Sequence, residues 1–508
     1  MVRLLLPFIL FFVRIINVWK RSRGGIFMHE KADSLLSLLQ QYQLKGEIPF
    51  HMPGHKRNAK LAPYLEQLSA KLDITEIPGF DDLHDPQGVL AEAMARAAKL
   101  YGSDAAFFLV NGSTGGILAG IRAATHYGNQ VLVARNCHKA VYHALELCGL
   151  EPIFLKPPEI PEFGCAASLP AEMVEESLSL HPEIRLVILT SPTYEGVISD
   201  IEAICKSAHR RKIPVLVDEA HGAHLGLDET FPASAVSYGA DLVVQSFHKT
   251  LPSLTQTGML HVNNGLISRE EVARQLGIFQ TSSPSYLLMA SLEGCVSLLE
   301  QQRNSLFAAW RQRLLTFERK INALTQVQIL GYGINKQLPG VFNLDPGKLV
   351  IGTKYTNLTG VCLMEILKEQ YQLQLEMAML HYAVAMTSIG DTDKMMDCLS
   401  VALLELDALC DGKGKASGSF LDTEIPRRLI SQAKAAEYPW RLVSVREGEG
   451  MICGEAIWAY PPGIPMIIPG EEFSAALLQR LQEMDRAGIR LCGTRGTPPD
   501  TLAVLNLP

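Results

Sequence analysis

Two short polar segments, each closing an apolar run, carry the chemistry of this chain. Val215–Leu216–Val217 ends in Asp218–Glu219–Ala220–His221, and Leu242–Val243–Val244–Gln245 ends in Ser246–Phe247–His248–Lys249. In open α/β sheets, ligands sit beyond the carboxyl ends of the strands. An acid there can hold a pyridine nitrogen protonated, because a neighbouring negative charge favours the cation. It could equally bind a metal or cap a helix. A lysine in a partly desolvated pocket loses proton affinity and becomes a nucleophile able to form a Schiff base. Alone, Lys249 would read as a surface lysine after a strand; its pairing with the preceding D-E-A-H is the specific feature.

Two further segments could serve a planar, phosphorylated ligand. Asn111–Gly112–Ser113–Thr114–Gly115–Gly116 reads as a strand end, a glycine turn and a helix start, where free N–H groups and the hydroxyls of Ser113 and Thr114 make an anion site. Such a turn can also merely cap a helix. It fits neither G-x-G-x-x-G nor the Walker A pattern, which argues against dinucleotides and nucleoside triphosphates. Ser246 and His248 could add phosphate contacts. In Asn136–Cys137–His138–Lys139, the imidazole of His138 could stack on a flat ring or lie on the surface. His51 with His55, and His221 with His224, have spacings a metal could use. No H-E-x-x-H accompanies them, so no metal is expected.

The elements that position these residues follow from pattern. Apolar stretches at 106–110, 130–134, 152–155, 186–190, 215–218 and 242–245 alternate with helical ones at 89–100 and 115–127. Continuous apolar strands separated by helices predict a parallel sheet covered on both faces. A long helical stretch from 286 to about 324 leads toward a smaller α/β domain. The Gly-rich segment D-G-K-G-K-A-S-G at 411–418 reads as a linker. The expected organisation is an extension at 1–27, a helical arm at 28–47, a large domain at 48–300, a small domain at 301–410, a linker at 411–421 and a C-terminal α+β domain at 422–508.

The length of 508 residues exceeds what one core supports. Lys and Arg number 46 against 53 Asp and Glu, a net −7 that gives no suggestion of a polyanion partner, and no nucleic acid is expected. Ten cysteines without C-x-x-C spacing suit reduced thiols in the cytoplasm. The apolar run at 4–13 is shorter than the roughly 20 residues a membrane span needs. Its basic residues mostly follow it, unlike a secretory signal. A membrane role is therefore not expected, and translation from Met28 is the plainer reading. Residues 1–27 carry five positive charges, so the remaining chain would have −7 − 5 = −12.

In order, P-G-H-K (53–56), D-I-T-E-I-P-G-F-D-D-L-H (73–84), F-L-V-N-G-S-T-G-G, N-C-H-K, D-E-A-H-G-A-H, S-F-H-K and Y-P-P-G-I-P (460–465) resemble the Orn/Lys/Arg decarboxylase family, in its short, wingless form. The last motif separates that family from aminotransferases of the same fold. The resemblance implies pyridoxal phosphate fold type I, with a mostly parallel seven-stranded sheet. It implies decarboxylation of a basic amino acid, arginine favoured over lysine or ornithine, in polyamine synthesis. The cofactor would be pyridoxal 5′-phosphate. By the same resemblance, Lys249 is the Schiff-base lysine, Asp218 the ring-nitrogen partner and His138 the stacking histidine. Ser113, Thr114, Ser246 and His248 would hold the phosphate, and His221 would lie near the ring hydroxyl and the substrate carboxylate. Glu455 is expected to contact substrate. The family's shared dimeric sites suggest that Asp81, Asp82 and His84 serve a neighbouring subunit of a homodimer or larger homo-oligomer.

Overall fold

A computed structural model describes residues 44–69, 72–77, 80–263, 265–333, 336–410 and 424–507. The 1–27 extension, nearly all of the helical arm and the 411–421 linker lie outside the described residues.

The large domain is built on seven strands: β1 (Ala105–Leu109), β2 (Gln130–Ala134), β3 (Glu151–Leu155), β4 (Ile184–Thr190), β5 (Val215–Asp218), β6 (Leu242–Gln245) and β7 (Gly258–Val262). They lie in the order β1-β7-β6-β5-β4-β2-β3. β7 runs antiparallel to both its neighbours, and the other pairs are parallel. All six strands expected from sequence are present. Register explains the site: Asp218 lies opposite Thr190 on one side and Val244 on the other. The carboxyl ends of β4, β5 and β6 therefore share one edge, and whatever follows them must meet there.

Two helices turn this edge into a site, α2 (Gly112–Ala124) after β1 and α3 (Lys139–Leu147) after β2, while α1 (Val89–Tyr101) packs against β1. The long α4 (Tyr286–Ile321) joins the two domains. Its buried stripe, Leu292, Val296, Leu299, Phe307, Trp310, Leu314, Phe317 and Ile321, recurs at helical spacing. The expected boundary at 300/301 falls inside this helix, because the stripe continues unbroken into the small-domain core. Trp310, fully buried, donates its indole N–H to Thr387 Oγ1 at 3.0 Å. Burying a side chain of that size contributes roughly 2–3 kcal/mol.

The small domain holds β8 (Gln328–Ile329), β9 (Lys348–Gly352), β10 (Met377–Ala378) and β11 (Tyr382–Met386), in the order β8-β9-β11-β10, with α5 (Gly360–Tyr371) and α6 (Asp393–Asp407). Ile48–Phe50 pairs in parallel with Leu373–Leu375, so the start of the expected large domain is stitched to the small one. The C-terminal domain has its own core of Val443, Ile457, Ile467, Phe473, Leu481 and Val504. There β12 (Trp440–Ser444) pairs with β16 (Thr501–Leu505), while β13 (Ile457–Ala459) lies between β14 (Pro465–Ile467) and β15 (Leu491–Gly493), beside α7 (Ala475–Arg486). Arg135 joins this domain to the large one, binding Glu471 at 2.9 Å in a buried ion pair. Among the described residues, no helix is long and apolar enough to cross a membrane, and no cluster of three or more His, Cys, Asp or Glu could hold a metal.

Candidate active site

A cavity of about 300 Å³ opens at the shared strand edge. Asp218, His221, Ser246, His248 and Lys249 line it from β5 and β6, Gly112, Ser113 and Thr114 from the start of α2, and Asn136 and His138 from the loop before α3. Two close backbone approaches hold it together. Gly54 of P-G-H-K donates its N–H to His248 O at 2.7 Å, and a Cβ at Gly54 would stand 2.6 Å from the carbonyl carbon of Thr250. Only glycine lets that segment press on the turn carrying Lys249. Gly463 of Y-P-P-G-I-P, at φ +84°, accepts from Lys139 N at 3.1 Å, and a Cβ there would stand 3.4 Å from His138. Through this contact Tyr460, Pro461, Pro462 and Ile464 become the cavity's C-terminal wall.

Burial dominates the electrostatics. It lowers the proton affinity of Lys249, with the charges of Asp218 and Glu376 opposing it. It raises the Asp218 carboxyl against the pull of Lys249 and the Ala220 N–H. His138 is pushed down to about 3 by burial, then by the charge of Lys249, and is a neutral ring. Its Nδ1 caps α3 by accepting from Ala140 N at 3.2 Å. His248 is held at about 4, chiefly by burial, with Nδ1 2.8 Å from Thr257 O. Ser246 donates its hydroxyl to Ser113 at 2.9 Å, so the two hydroxyls sit together at the α2 N-terminus.

These donors fit a phosphorylated pyridine aldehyde group by group. Hydroxyls and helix N–H groups suit the phosphate, Asp218 suits a ring nitrogen, the neutral His138 ring suits a face, and Lys249 suits a carbonyl carbon. The buried Asn136 Oδ1, which has no hydrogen-bond partner here, is an acceptor left open beside them.

One expected contact, that of Glu455, is corrected. Glu455 does not line this cavity: it is wholly buried in the C-terminal domain. Its carboxylate accepts from Ala503 N (2.7 Å), Arg495 N (3.0 Å) and Gly496 N (2.8 Å), so it folds its own domain. Asp81 likewise spends its carboxylate on its own loop, accepting from the N–H groups of Asp82, Gln87, Gly88 and Leu90 at the start of α1. Desolvation alone would raise it, but these donors outweigh that and hold it at about 2. His84 touches Thr281 O at 2.8 Å and does not reach the cavity of its own chain. Glu455→Gln is accordingly expected to lower the melting transition, because an amide N–H would face backbone donors at a cost of about 1–3 kcal/mol. KM should stay unchanged; a raised KM with normal melting would restore the substrate role.

Sequence reasoning missed two charged groups from the small domain, one lining the cavity and one touching its His221. Glu376 lines the cavity and accepts from Tyr194 OH at 2.5 Å and Met52 N at 2.8 Å. Lys348, at the start of β9, places Nζ 2.8 Å from His221 Nδ1. A lone acid after a two-residue alternation, or a lysine opening an apolar strand, gives no local signal.

The reversed β7, the doubly wound sheet and the lysine–aspartate pair at its carboxyl edge define the fold-type-I class, which holds both decarboxylases and aminotransferases. The chain superposes on the lysine decarboxylase LdcF of Francisella novicida with a TM-score of 0.72 at 16% identity, covering 93% of this chain and 84% of that one. A Bacillus subtilis ureidoglycine–glyoxylate aminotransferase gives 0.54 at 14% identity, over 73% and 96% of the two chains. Within the class, residues 34–354 match the Orn/Lys/Arg decarboxylase major domain and residues 429–493 the C-terminal domain of the same family. The chain belongs to the Orn/Lys/Arg decarboxylase family. It is 33% identical to an arginine decarboxylase of Halalkalibacterium halodurans over 470 residues, covering 90% of this chain and 94% of that one. The identity is 31% to an arginine decarboxylase of Bacillus subtilis (87% and 92%) and 24% to the lysine decarboxylase LdcA of Pseudomonas aeruginosa (88% and 75%).

Proposed function

We propose that this protein decarboxylates a basic amino acid, arginine foremost, using pyridoxal 5′-phosphate held around Lys249. The observation that carries this reading is the convergence of Lys249, Asp218, His138 and the Ser113–Ser246 hydroxyl pair in one cavity. Relatives at 31–33% identity that are named arginine decarboxylase favour arginine over lysine or ornithine. The product amine is polyamine feedstock, so the reading places the enzyme in cytoplasmic polyamine synthesis, as a homodimer or larger homo-oligomer.

The cofactor, when bound, supplies the electron sink for the pair released as the Cα–carboxylate bond breaks. The chain's own residues do the rest. Ser113, Thr114, Ser246 and His248 would hold the phosphate, Asp218 would favour a protonated ring nitrogen, and the neutral ring of His138 would suit a face of the cofactor. Lys249 would supply the amine that binds the cofactor's carbonyl carbon. Glu376 is the cavity carboxylate suited to a cationic side chain. His221 holds a proton beside Lys249, near where Cα must be protonated. The walls from Tyr460 to Ile464 exclude water and orient the bond that breaks.

The test offers arginine, lysine and ornithine separately to purified protein with pyridoxal 5′-phosphate, and identifies carbon dioxide and the amine formed. Arginine is expected to give both fastest. Turnover that yields no carbon dioxide but depends on an α-keto acid acceptor would sink the reading.

A further inference from the structure

His221 is clasped by two amines. Lys249 Nζ lies 3.0 Å from its Nε2, and Lys348 Nζ lies 2.8 Å from its Nδ1. His221 and Lys348 are both buried, at 5% and 3% exposure. Burial, reinforced by the charges of the two lysines, keeps the imidazole neutral. A neutral imidazole has one N–H and one lone pair, whereas an ammonium can only donate. Two ammonium groups cannot both be satisfied here, since one of them would meet an N–H. One amine donates to the ring; the other is uncharged and accepts from it.

We propose that Lys249 and Lys348 share a single proton through His221, with Lys348 taking it whenever Lys249 must act as a free amine and returning it afterwards. In one state the Lys249 ammonium donates to Nε2, and the Nδ1–H donates to uncharged Lys348. In the other, Lys249 has passed its proton to Nε2 and Nδ1 has passed its own to Lys348. One N–H bond breaks and one forms at each transfer. The ring stays neutral, changes only its tautomer, and the cavity's net charge is constant. Constant charge matters because changing the net charge of a desolvated site is costly.

The surroundings suit both states. Lys249 faces Asp218 and Glu376, while Lys348 faces Asp345, Glu376 and Lys56. His221 also faces His138 and His248, with the Tyr194 ring 4.3 Å away. Each amine thus has a carboxylate of its own and a shared one. Burial brings Lys348 down to about 7, which leaves it free to accept near neutrality. Lys348 acts through His221 and is a positioning residue. The inference rests on the proposed function only in taking Lys249 as the nucleophile.

The first test needs no cofactor. In apoprotein with ¹⁵N-labelled histidine at neutral pH, the His221 signal is identified by its loss in His221→Gln. The wild type should show the Nδ1–H tautomer. Lys249→Met should show Nε2–H, because Lys348, relieved of its competitor, becomes the donor. Lys249→Ala replaces that variant if it does not fold. The same tautomer with and without Lys249 would overturn the proposal. The second test follows the midpoint pH for covalent attachment of pyridoxal 5′-phosphate. Lys348→Met should raise it by removing the acceptor. Lys348→Arg should lower it, because a permanent donor on Nδ1 forces Nε2–H toward Lys249 and keeps that amine uncharged. Shifts in the same direction for both variants would reduce Lys348 to a packing role. A protein that binds no pyridoxal 5′-phosphate would defeat the proposed function, yet the tautomer experiment would still decide this one.

Discussion

Lys249→Ala is expected to reduce kcat by roughly 10⁴-fold or more, the scale seen when a covalent nucleophile is removed. It should also abolish covalent capture of the cofactor. In the wild type, borohydride reduction with pyridoxal 5′-phosphate should fix the label on one peptide, the one carrying Lys249. The competing sites are specific. Lys348 is the more deeply buried and touches the same histidine, and Lys56 lies close by with Nζ donating to His51 O and Met386 O, each at 2.8 Å. Of the three, Lys249 follows the strand edge that carries Asp218 and lines the same cavity as Ser113 and Thr114. A ring held by those two groups can reach it. Label on Lys348, or undiminished labelling in Lys249→Ala, would move the nucleophile to the small domain. Circular dichroism of the variant separates loss of chemistry from loss of fold.

What the sequence disclosed, and what it withheld, divides along physical lines. Six strands were legible because each is a short, largely apolar run; the central β5 and β6 are buried throughout, the edge strand β3 only in part. β7 was not singled out, since His261 interrupts it. That histidine is fully buried, its two ring nitrogens engaged by Ser103 Oγ at 3.0 Å and Gln245 Oε1 at 3.2 Å, partners remote in sequence. Asp218, His221, Ser246, His248 and Lys249 could be placed because a parallel sheet delivers its strand ends to one edge. Ser113, Thr114 and His138 follow neighbouring strands and meet the same edge. Glu376 and Lys348 arrive from another domain, and no local pattern encodes that meeting. Glu455 shows the opposite failure. An acid beside a functional motif reads as functional, yet its oxygens are taken by backbone N–H groups forty and more residues away. Sequence names a carboxylate; it does not say where the lone pairs go.

Asp218→Asn should separate two roles that Lys249→Ala removes together. The amide is nearly isosteric, and its oxygen can still accept from Ala220 N, which lies 3.1 Å from Asp218 Oδ1. Folding should survive, because burial already disfavours the carboxylate. The chemistry should not. A neutral amide cannot hold the ring nitrogen protonated, so the electron sink weakens and kcat should fall roughly 10²–10³-fold, the scale of losing one preorganised electrostatic contact. Attachment should move the other way. Asp218 raises the proton affinity of Lys249. Without that charge, Lys249 is uncharged down to lower pH, and the midpoint for covalent capture of pyridoxal 5′-phosphate should shift downward. Slower turnover with easier attachment is the signature of an acid serving both the ring and the lysine. If capture instead failed in step with kcat, Asp218 would be holding the cofactor in place rather than tuning it, and the ring nitrogen would need another partner.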